Sequence, residues 1–335
     1  MNCNLNNMIN AGKIHEDVNN YIRTILKPNI DLLTLANNIE NKIKNLTNYN
    51  QNEPLDYGIA FPTGLSINNC VAHWTPKINN KKILLENDVI KIDYGIHIEG
   101  SIIDSAFTHT FNSKYDKLLE SSKTSTDIAI KLCRPDMLLS EIGKEIEENM
   151  YSYEIELNNK INTIKPVKSL CGHSINKYKI HGEKIIPNIY LKDYDKRINA
   201  EEFYAVETFA TTGTGETYED INDCSHYMIN YTNNFKKCDI PNNSQNMYKF
   251  INKYFNTLAF CDRWIIGKLL KKNNKNNEIL IEKNLNKYLN NLNKSKIINM
   301  YPPIYDTDKK SYSAQFEETI YINETKTIIL SKNNN

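Results

Sequence analysis

Several features that mark particular classes of protein are missing from this sequence of 335 residues. No apolar run approaches the roughly 20 residues that a membrane span needs, and the first residues, MNCNLNNMINAGK, show no apolar stretch of a signal peptide. The seven cysteines form no CxxC pair, and 41 basic against 40 acidic residues leave a net charge of only +1. We therefore expect a cytoplasmic protein with free thiols, no membrane partner and no specific nucleic-acid partner.

The apolar residues that are present predict separate blocks of helices and strands. Helical spacing over residues 8–27 predicts a first helix, and Asp31 can cap a second. Residues 59–111 have the pattern of strands. Further helices follow, and then a β-rich region around KSLCGHSI, YKIHG and EEFYAVETFA, a mostly helical stretch at 227–300 and final strands. Such blocks are typical of an α+β fold with mainly antiparallel sheet. The KNNKNN tract at 272–277 predicts a solvated loop.

Two aspartates lie inside the apolar stretch KIDYGIHIEGSIID, which predicts a strand, a turn and a second strand. Cross-strand partners have a constant sum of residue numbers. Asp93 and Asp104 are symmetrical about the HIEG segment, so we expect them to be near neighbours on adjacent strands and on one face. Two carboxylates this close repel each other unless a cation lies between them or one keeps its proton. Two interpretations therefore stay open here, a solvated sheet edge and a cation site, and apolar neighbours such as Ile92 and Ile103 weaken the first.

Three further polar residues occupy apolar strands elsewhere in the chain. His173 lies in LCGHSI, Glu207 in YAVETF and Glu317 in SAQFEET. Each alone is consistent with a structural residue, although an unpaired charge in an apolar strand is costly. Together with Asp93 and Asp104 they form a set that is rich in carboxylate oxygen and contains one imidazole. Such ligands suit Mn, Mg, Co or Fe(II), and two such ions can share a hydroxide and stabilise a hydrolytic transition state.

The chain resembles the type 2 methionine aminopeptidases over nearly its whole length. The stretches that carry the resemblance, in the order of the family, are AFPTGLSINNCVAHWTP, KIDYGIHIEGSIIDSAFT, GHSINKYKIH, YAVETF, CSHYM, TLAFCDRW and YPPIYD…SYSAQFEET. The resemblance implies a single catalytic domain, residues 1–335, with the α+β pita-bread fold: two related antiparallel halves, helices outside, and the metals at their junction. Glu207 and Glu317 are 110 positions apart, further than in type 1 enzymes, and the helical segment 227–300 resembles the type 2 insert subdomain.

The resemblance also implies how the ligands divide between two metal ions. Asp93 resembles the ligand that binds one metal through both oxygens, and Asp104 and Glu317 resemble bridges between the metals. His173 and Glu207 resemble the ligands of the other metal. We therefore expect two divalent ions, with Co, Mn, Fe and Zn as the candidates.

Catalytic and substrate-binding residues follow from the same resemblance. His73 matches a histidine that contacts the substrate near the scissile amide, and His181 matches one that polarises the scissile carbonyl. Glu207 is expected to move a proton to the leaving amine. The residues expected to line the methionine pocket or its rim, together with His73 and His181, are Phe61, Ile180, His226, Ala259 and Tyr301. For Phe61 and Ala259 the alternative is a role as ordinary core residues.

The implied function is metal-dependent removal of the initiator methionine from proteins whose second residue is small, by a hydroxide that two metals activate. N-terminal Met peptides and nascent chains would be the substrates, the ribosome is a candidate partner, and a monomer is expected. The basic and acidic N-terminal extension of eukaryotic type 2 enzymes is missing from this sequence. Its absence argues against ribosome association through such an extension.

Two alternatives compete with this interpretation. Catalytically inactive binding proteins share the pita-bread fold but have lost metal ligands, whereas all five ligand positions are filled here. Proline-specific peptidases of the same superfamily share the ligand types but carry a large N-terminal domain before the metal-binding half. Only 92 residues precede Asp93 in this chain, and the helical insert is not a feature of those enzymes.

Overall fold

The computed structural model describes residues 3–232, 240–273 and 278–331. Within them, the helices are α1 (Leu5–Ile25), α2 (Leu32–Leu46), α3 (Asp116–Leu132), α4 (Leu139–Tyr151), α5 (Gln245–Tyr254), α6 (Asp262–Asn273) and α7 (Glu278–Lys294). The strands are β1 (Tyr57–Ile67), β2 (Cys70–Ala72), β3 (Val89–Ile98), β4 (Ser101–Thr110), β5 (Glu154–Leu157), β6 (Lys160–Thr163), β7 (Lys165–Pro166), β8 (Cys171–Ile175), β9 (Ile185–Pro187), β10 (Glu202–Thr211), β11 (Thr217–Glu219), β12 (His226–Ile229), β13 (Phe260–Cys261), β14 (Ile298–Met300), β15 (Ile304–Asp306), β16 (Ser313–Ile322) and β17 (Thr327–Ile329). The loop predicted at 272–277 lies mostly outside the described residues.

Side-chain caps determine where the first two helices begin. Asn4 Oδ1 accepts a hydrogen bond from the amide of Asn7 at 3.1 Å, and Asp31 Oδ1 accepts one from the amide of Thr34 at 2.7 Å. Each cap satisfies an N–H group that has no partner within the helix. The helix predicted after Asp31 is therefore confirmed, and its apolar face is buried against β1.

One antiparallel sheet organises the molecule. Its strand order is β1-β3-β4-β16-β10-β8-β9, with β17 beside β16 and β7 beside β10. Helices α1 and α2 pack on β1, β3 and β4, whereas α3 packs on β10 and β16 and α4 packs on β7 and β9. The two halves have largely separate apolar cores and meet where β4 pairs with β16, at Ala106 and Glu317. The prediction of a mainly antiparallel α+β fold is confirmed.

The hairpin of β3 and β4 differs from the predicted register by two positions. Its turn is Glu99–Gly100, with φ values of 48° and 76°, which is typical of a two-residue type I′ turn. Asp93 consequently pairs with Ala106, and Asp104 pairs with Gly95, so the two aspartates are diagonal neighbours and not direct cross-strand partners. A shift by an even number of residues keeps each side chain on its face of the sheet. The expectation that both aspartates share one face is therefore confirmed.

The segment between β11 and β15 has an apolar core of its own. Helices α5, α6 and α7 pack with β12, β13 and β14 around buried residues such as Ile251, Phe260 and Leu289. The three short strands form a separate sheet in the order β13-β12-β14. The mostly helical pattern over 227–300 is thus accompanied by a small sheet, and the assignment of this segment as an insert subdomain remains a prediction.

Candidate metal centre

Five strands of the main sheet each bring one polar side chain to the same place. Asp93 comes from β3, Asp104 from β4, His173 from β8, Glu207 from β10 and Glu317 from β16. All five line one cavity of ≈ 70 Å³ at the junction of the two halves. The five residues that the sequence predicts as metal ligands therefore lie together.

The distances between these side chains are short. His173 Nε2 lies 3.5 Å from Asp104 Oδ2 and 3.9 Å from Glu207 Oε1. Asp104, His173 and Glu317 each offer a ligand atom, and the three atoms lie within 4.8 Å of one another. Atoms at this spacing can surround a common cation, and carboxylate with imidazole is a donor set suited to divalent metals.

Burial makes this group of carboxylates costly without a cation. Burial raises the pKa of Asp93 to about 7. Burial, and then the charge of the neighbouring carboxylates, raises the pKa of Asp104, Glu207 and Glu317 well above the ordinary range. Asp93 Oδ1 has no hydrogen-bond partner among the described residues. Because a divalent cation would replace the protons and occupy such an oxygen, the residues present fit divalent metal ions.

Gln315 belongs to this centre and is missing from the sequence prediction. Its Nε2 lies 3.1 Å from Glu207 Oε2 and 3.4 Å from both Asp93 Oδ2 and Glu317 Oε2. Alternate residues of a strand share a face, so its place two residues before Glu317 is the signal that could have revealed it. Four apolar residues of the cavity wall are also absent from the prediction: Ala72, Leu170, Phe209 and Met228.

A cluster of aromatic rings lines the same cavity. The rings of His173 and His181 are 4.6 Å apart, and the ring of Tyr301 is 5.8 Å from those of His73, His181 and His226. Burial lowers the pKa of His73 to about 4 and that of His226 to about 3. Burial, followed by the neighbouring histidines, lowers the pKa of His181 well below its ordinary value. These imidazoles are therefore neutral near pH 7 and can donate or accept hydrogen bonds.

Loops, and not strands, hold His73 and His181. His73 directly follows β2 and has a left-handed backbone with φ of 66°, a conformation that is uncommon outside glycine. His181 lies in the connection from β8 to β9, where the amide of Gly182 donates to the carbonyl of Ser174 at 2.6 Å. The β structure predicted around YKIHG is therefore wrong, apart from an isolated bridge near its start.

The predicted substrate-binding residues complete the wall of the cavity. Phe61, Ile180 and Ala259 are buried and lie beside His226 and Tyr301. Every residue that the sequence predicts for the site thus lines a single cavity. The wall combines apolar side chains with neutral imidazoles, which suits an unbranched apolar side chain attached to a polar backbone.

Comparison with known proteins identifies the family. Residues 6–234 match metallopeptidase family M24. Methionine aminopeptidase 2A of Arabidopsis thaliana is 41% identical over 327 residues, which cover 98% of this chain and 70% of that protein. The chain belongs to metallopeptidase family M24, among the type 2 methionine aminopeptidases.

Solved structures show the fold of this M24 protein. A thermophilic Arx1 superposes with a TM-score of 0.75 at 14% identity, covering 98% of this chain and 90% of that one. Methionine aminopeptidase of Thermotoga maritima gives a TM-score of 0.63 at 16% identity, covering 98% and 96% of the two chains. The fold is therefore the pita-bread fold that the sequence motifs implied. Across the described residues, every helix is too short or too polar to cross a membrane.

Proposed function

We propose that this M24 protein removes the N-terminal methionine from peptides and nascent chains whose second residue is small. The observation that carries the proposal is the meeting of five metal-type ligands, three neutral histidines and an apolar pocket in one cavity. The relatives that match most of the chain bear the name methionine aminopeptidase 2. Neither the ligands alone nor the pocket alone would point to this reaction.

The carboxylates and His173 would hold two divalent ions, with Co, Mn, Fe and Zn as candidates. Asp93 would serve one ion, His173 and Glu207 would serve the other, and Asp104 and Glu317 would join them. When bound, the ions would polarise the scissile carbonyl and lower the pKa of water. This division agrees with the short distances of His173 to Asp104 and Glu207.

Three side chains of the cavity would transfer a proton or form hydrogen bonds with the substrate. His181, neutral because burial lowers its pKa, would donate an imidazole N–H to the carbonyl oxygen of the methionine as negative charge develops there. Glu207 would accept a proton on a carboxylate oxygen and pass it to the leaving nitrogen. His73 would contact the scissile amide from its position beside Tyr301.

The apolar wall would provide the specificity for methionine. Phe61, Ile180, His226 and Ala259 would enclose the thioether side chain, with Tyr301 at the rim. These residues line the same cavity as the ligands, so the methionine side chain would be held next to the metal centre. We further propose a monomeric, cytoplasmic enzyme that acts on nascent chains, with the ribosome as a candidate partner.

The test is a peptide assay with controlled metal content. The protein is treated with EDTA, reloaded with Mn²⁺ or Co²⁺, and assayed with Met-Gly, Met-Ala and Met-Leu peptides and with a panel of dipeptides that contain proline. We expect release of methionine that depends on metal and favours the small second residues. Failure to hydrolyse any peptide would support an inactive binding protein, and hydrolysis confined to the proline dipeptides would support a proline-specific peptidase.

A further inference from the structure

The motif CDRW at residues 261–264 has no place in the proposed catalytic set, yet it joins distant parts of the chain. Arg263, in the first turn of α6, donates to both carboxylate oxygens of Glu40 on α2, at 2.7 and 2.8 Å. The two side chains are only 5% and 2% exposed. Trp264 Nε1 donates to the same carboxylate at 2.8 Å. A buried, bidentate ion pair therefore connects the segment between β11 and β15 to the N-terminal half of the molecule.

Other hydrogen bonds from Arg263 reach the loop that follows β2. Its Nε donates to the carbonyl of Pro76 at 3.0 Å, and its Nη2 lies 3.5 Å from Thr75 Oγ1. Ser225 Oγ, next to β12, donates to the carbonyl of Thr75 at 3.3 Å. The loop thus receives three contacts from the same segment, and the guanidinium makes two of them.

This loop carries His73, whose position needs support. The left-handed backbone of His73 is strained, and such a conformation persists only where its surroundings enforce it. On one side the chain is held by β1, because the amide of Leu65 donates to the carbonyl of Trp74 at 2.7 Å. On the opposite side of Trp74, residues 75 and 76 are held by Arg263. His73 therefore lies at the end of a loop that is fixed from two sides.

We propose that Arg263 is a positioning residue that holds the His73 loop against the active-site cavity, with Glu40 as its anchor. The segment between β11 and β15 then acts on the reaction through this contact, in addition to supplying Ala259 and Tyr301 to the cavity wall. The kinetic part of this inference rests on the proposed aminopeptidase function. A purely structural ion pair would behave differently, because apolar side chains of similar volume can often replace such a pair without loss of stability.

Four variants separate positioning from stability. Arg263→Met alone leaves Glu40 charged and buried, so it should unfold at a lower temperature. The double variant Glu40→Met/Arg263→Met removes both charges, and we expect its Tm to return close to that of the wild type. Arg263→Lys keeps a charge but not the forked geometry. Trp264→Phe is the matched control, because it removes one hydrogen bond to Glu40 and none to the loop.

Kinetics with a Met-Gly peptide give the first readout. We expect the double variant to lose roughly tenfold or more in kcat/KM, mostly in kcat, since misplacement of a substrate-contacting group is costly even when the ligands are intact. Arg263→Lys should show a smaller loss, and Trp264→Phe should stay near the wild type. A double variant with wild-type Tm and wild-type kcat/KM would overturn the inference. An inactive wild type would instead refute the proposed function.

NMR of the protein with ¹³C-labelled histidine gives a second readout that does not depend on activity. The signal of His73 is assigned by its loss in His73→Gln. We expect this signal to shift or broaden in the double variant and in Arg263→Lys, and to stay in place in Trp264→Phe. If the His73 signal stays in place in both the double variant and Arg263→Lys, the loop keeps its position without the guanidinium. The inference would then be wrong.

Discussion

Glu207 and Glu317 lie directly opposite each other on the neighbouring strands β10 and β16. Like charges in this position destabilise an antiparallel pair, and both carboxyls are buried. The neighbouring pairs on the same face are Ala205 with Thr319 and Phe209 with Gln315, and none of these side chains is charged. Two acids face each other here at a cost to stability, so the pair indicates a site for cations and not a structural contact.

Replacement of one of these acids should separate stability from function. Glu317→Gln removes one buried carboxyl without changing its shape, so the metal-free protein near pH 8 should unfold at a Tm about 1–2 °C higher, as expected for a gain of ~1 kcal/mol in a chain of this length. Turnover should fall by more than about 100-fold. The loss of a group that only orients a metal ligand costs about 10–100-fold, and loss of the ligand itself should cost more. Calorimetry and the Met-Gly assay measure the two effects.

The matched control is Glu318→Gln. Glu318 is the next residue of β16, points to the other face of the sheet and accepts a hydrogen bond from Ser331 Oγ at 2.5 Å. The substitution Glu318→Gln should leave turnover close to that of the wild type. Near-normal turnover in Glu317→Gln would show that the assignment of this glutamate as a ligand is wrong.

Metal should stabilise the protein more at higher pH. The pKa of Asp93 is raised to about 7, and those of the other site carboxyls are raised above their values in the unfolded chain. The folded metal-free state therefore binds more protons than the unfolded state. Its stability therefore falls as the pH rises above about 4, where the unfolded carboxyls titrate, and the contribution of Asp93 is lost by about pH 7.

A bound divalent cation replaces those protons and removes the penalty. The increase in Tm on adding Mn²⁺ to protein treated with EDTA should therefore be larger near pH 8 than near pH 5.5, where protons compete with the metal. Thermal unfolding with and without Mn²⁺ across this range gives the comparison. An increase of the same size at both pH values would contradict the proposed ligand set.

Gln315 should contribute to metal affinity without being a ligand itself. Its amide nitrogen faces oxygens of Asp93, Glu207 and Glu317, and this orientation is the only favourable one because an amide oxygen would repel carboxylates. Gln315→Met keeps the volume and removes the donor. We expect a loss of about 10–100-fold in affinity for Mn²⁺, the range found for groups that orient ligands.

Isothermal titration with Mn²⁺ measures this loss. Tyr321→Phe is a suitable control, because it changes a side chain of the same strand whose hydroxyl contacts Glu201 and not the metal centre. The variant Gln315→Met with wild-type affinity would refute an orienting role for the amide.

Gly95 should be required for the shape of the methionine pocket. A Cβ added at this position would lie 2.1 Å from Phe61 Cε1 and 3.0 Å from Ala60 Cβ. Gly95→Ala should therefore displace the ring of Phe61, cost about 1–3 kcal/mol of stability and raise KM for Met peptides. Asp104 is the cross-strand partner of Gly95, so metal affinity is measured together with KM.

The same substitution elsewhere provides the control. A Cβ added at Gly267 in α6 meets no atom within 4 Å, so Gly267→Ala should stabilise the helix by about 0.5–1 kcal/mol and leave KM unchanged. Steady-state kinetics and calorimetry on both variants test the prediction. A Gly95→Ala enzyme with the KM of the wild type would show that Phe61 does not border the bound methionine.

Much of the site could be predicted because its information is local. Asp93, His173, Glu207 and Glu317 each interrupt an apolar strand, and such a position is visible from the neighbouring residues alone. Gln315 was not predicted, because a neutral amide in a strand gives no comparable signal. Its place two residues before Glu317, on the same face of the strand, could have indicated it. The loop position of His181 was also missed, since apolar residues around it imitate a strand pattern.

The sequence by itself determined the family, the antiparallel α+β class and the residue types that meet in the cavity, because motifs and alternating patterns are properties of short segments. Only the tertiary structure decided which side chains face each other. The position of the turn after β3 made Asp93 and Asp104 diagonal neighbours, and strand pairing put Glu207 opposite Glu317. Such pairings depend on hydrogen bonds between segments that are far apart in the chain, and no short stretch of sequence records them.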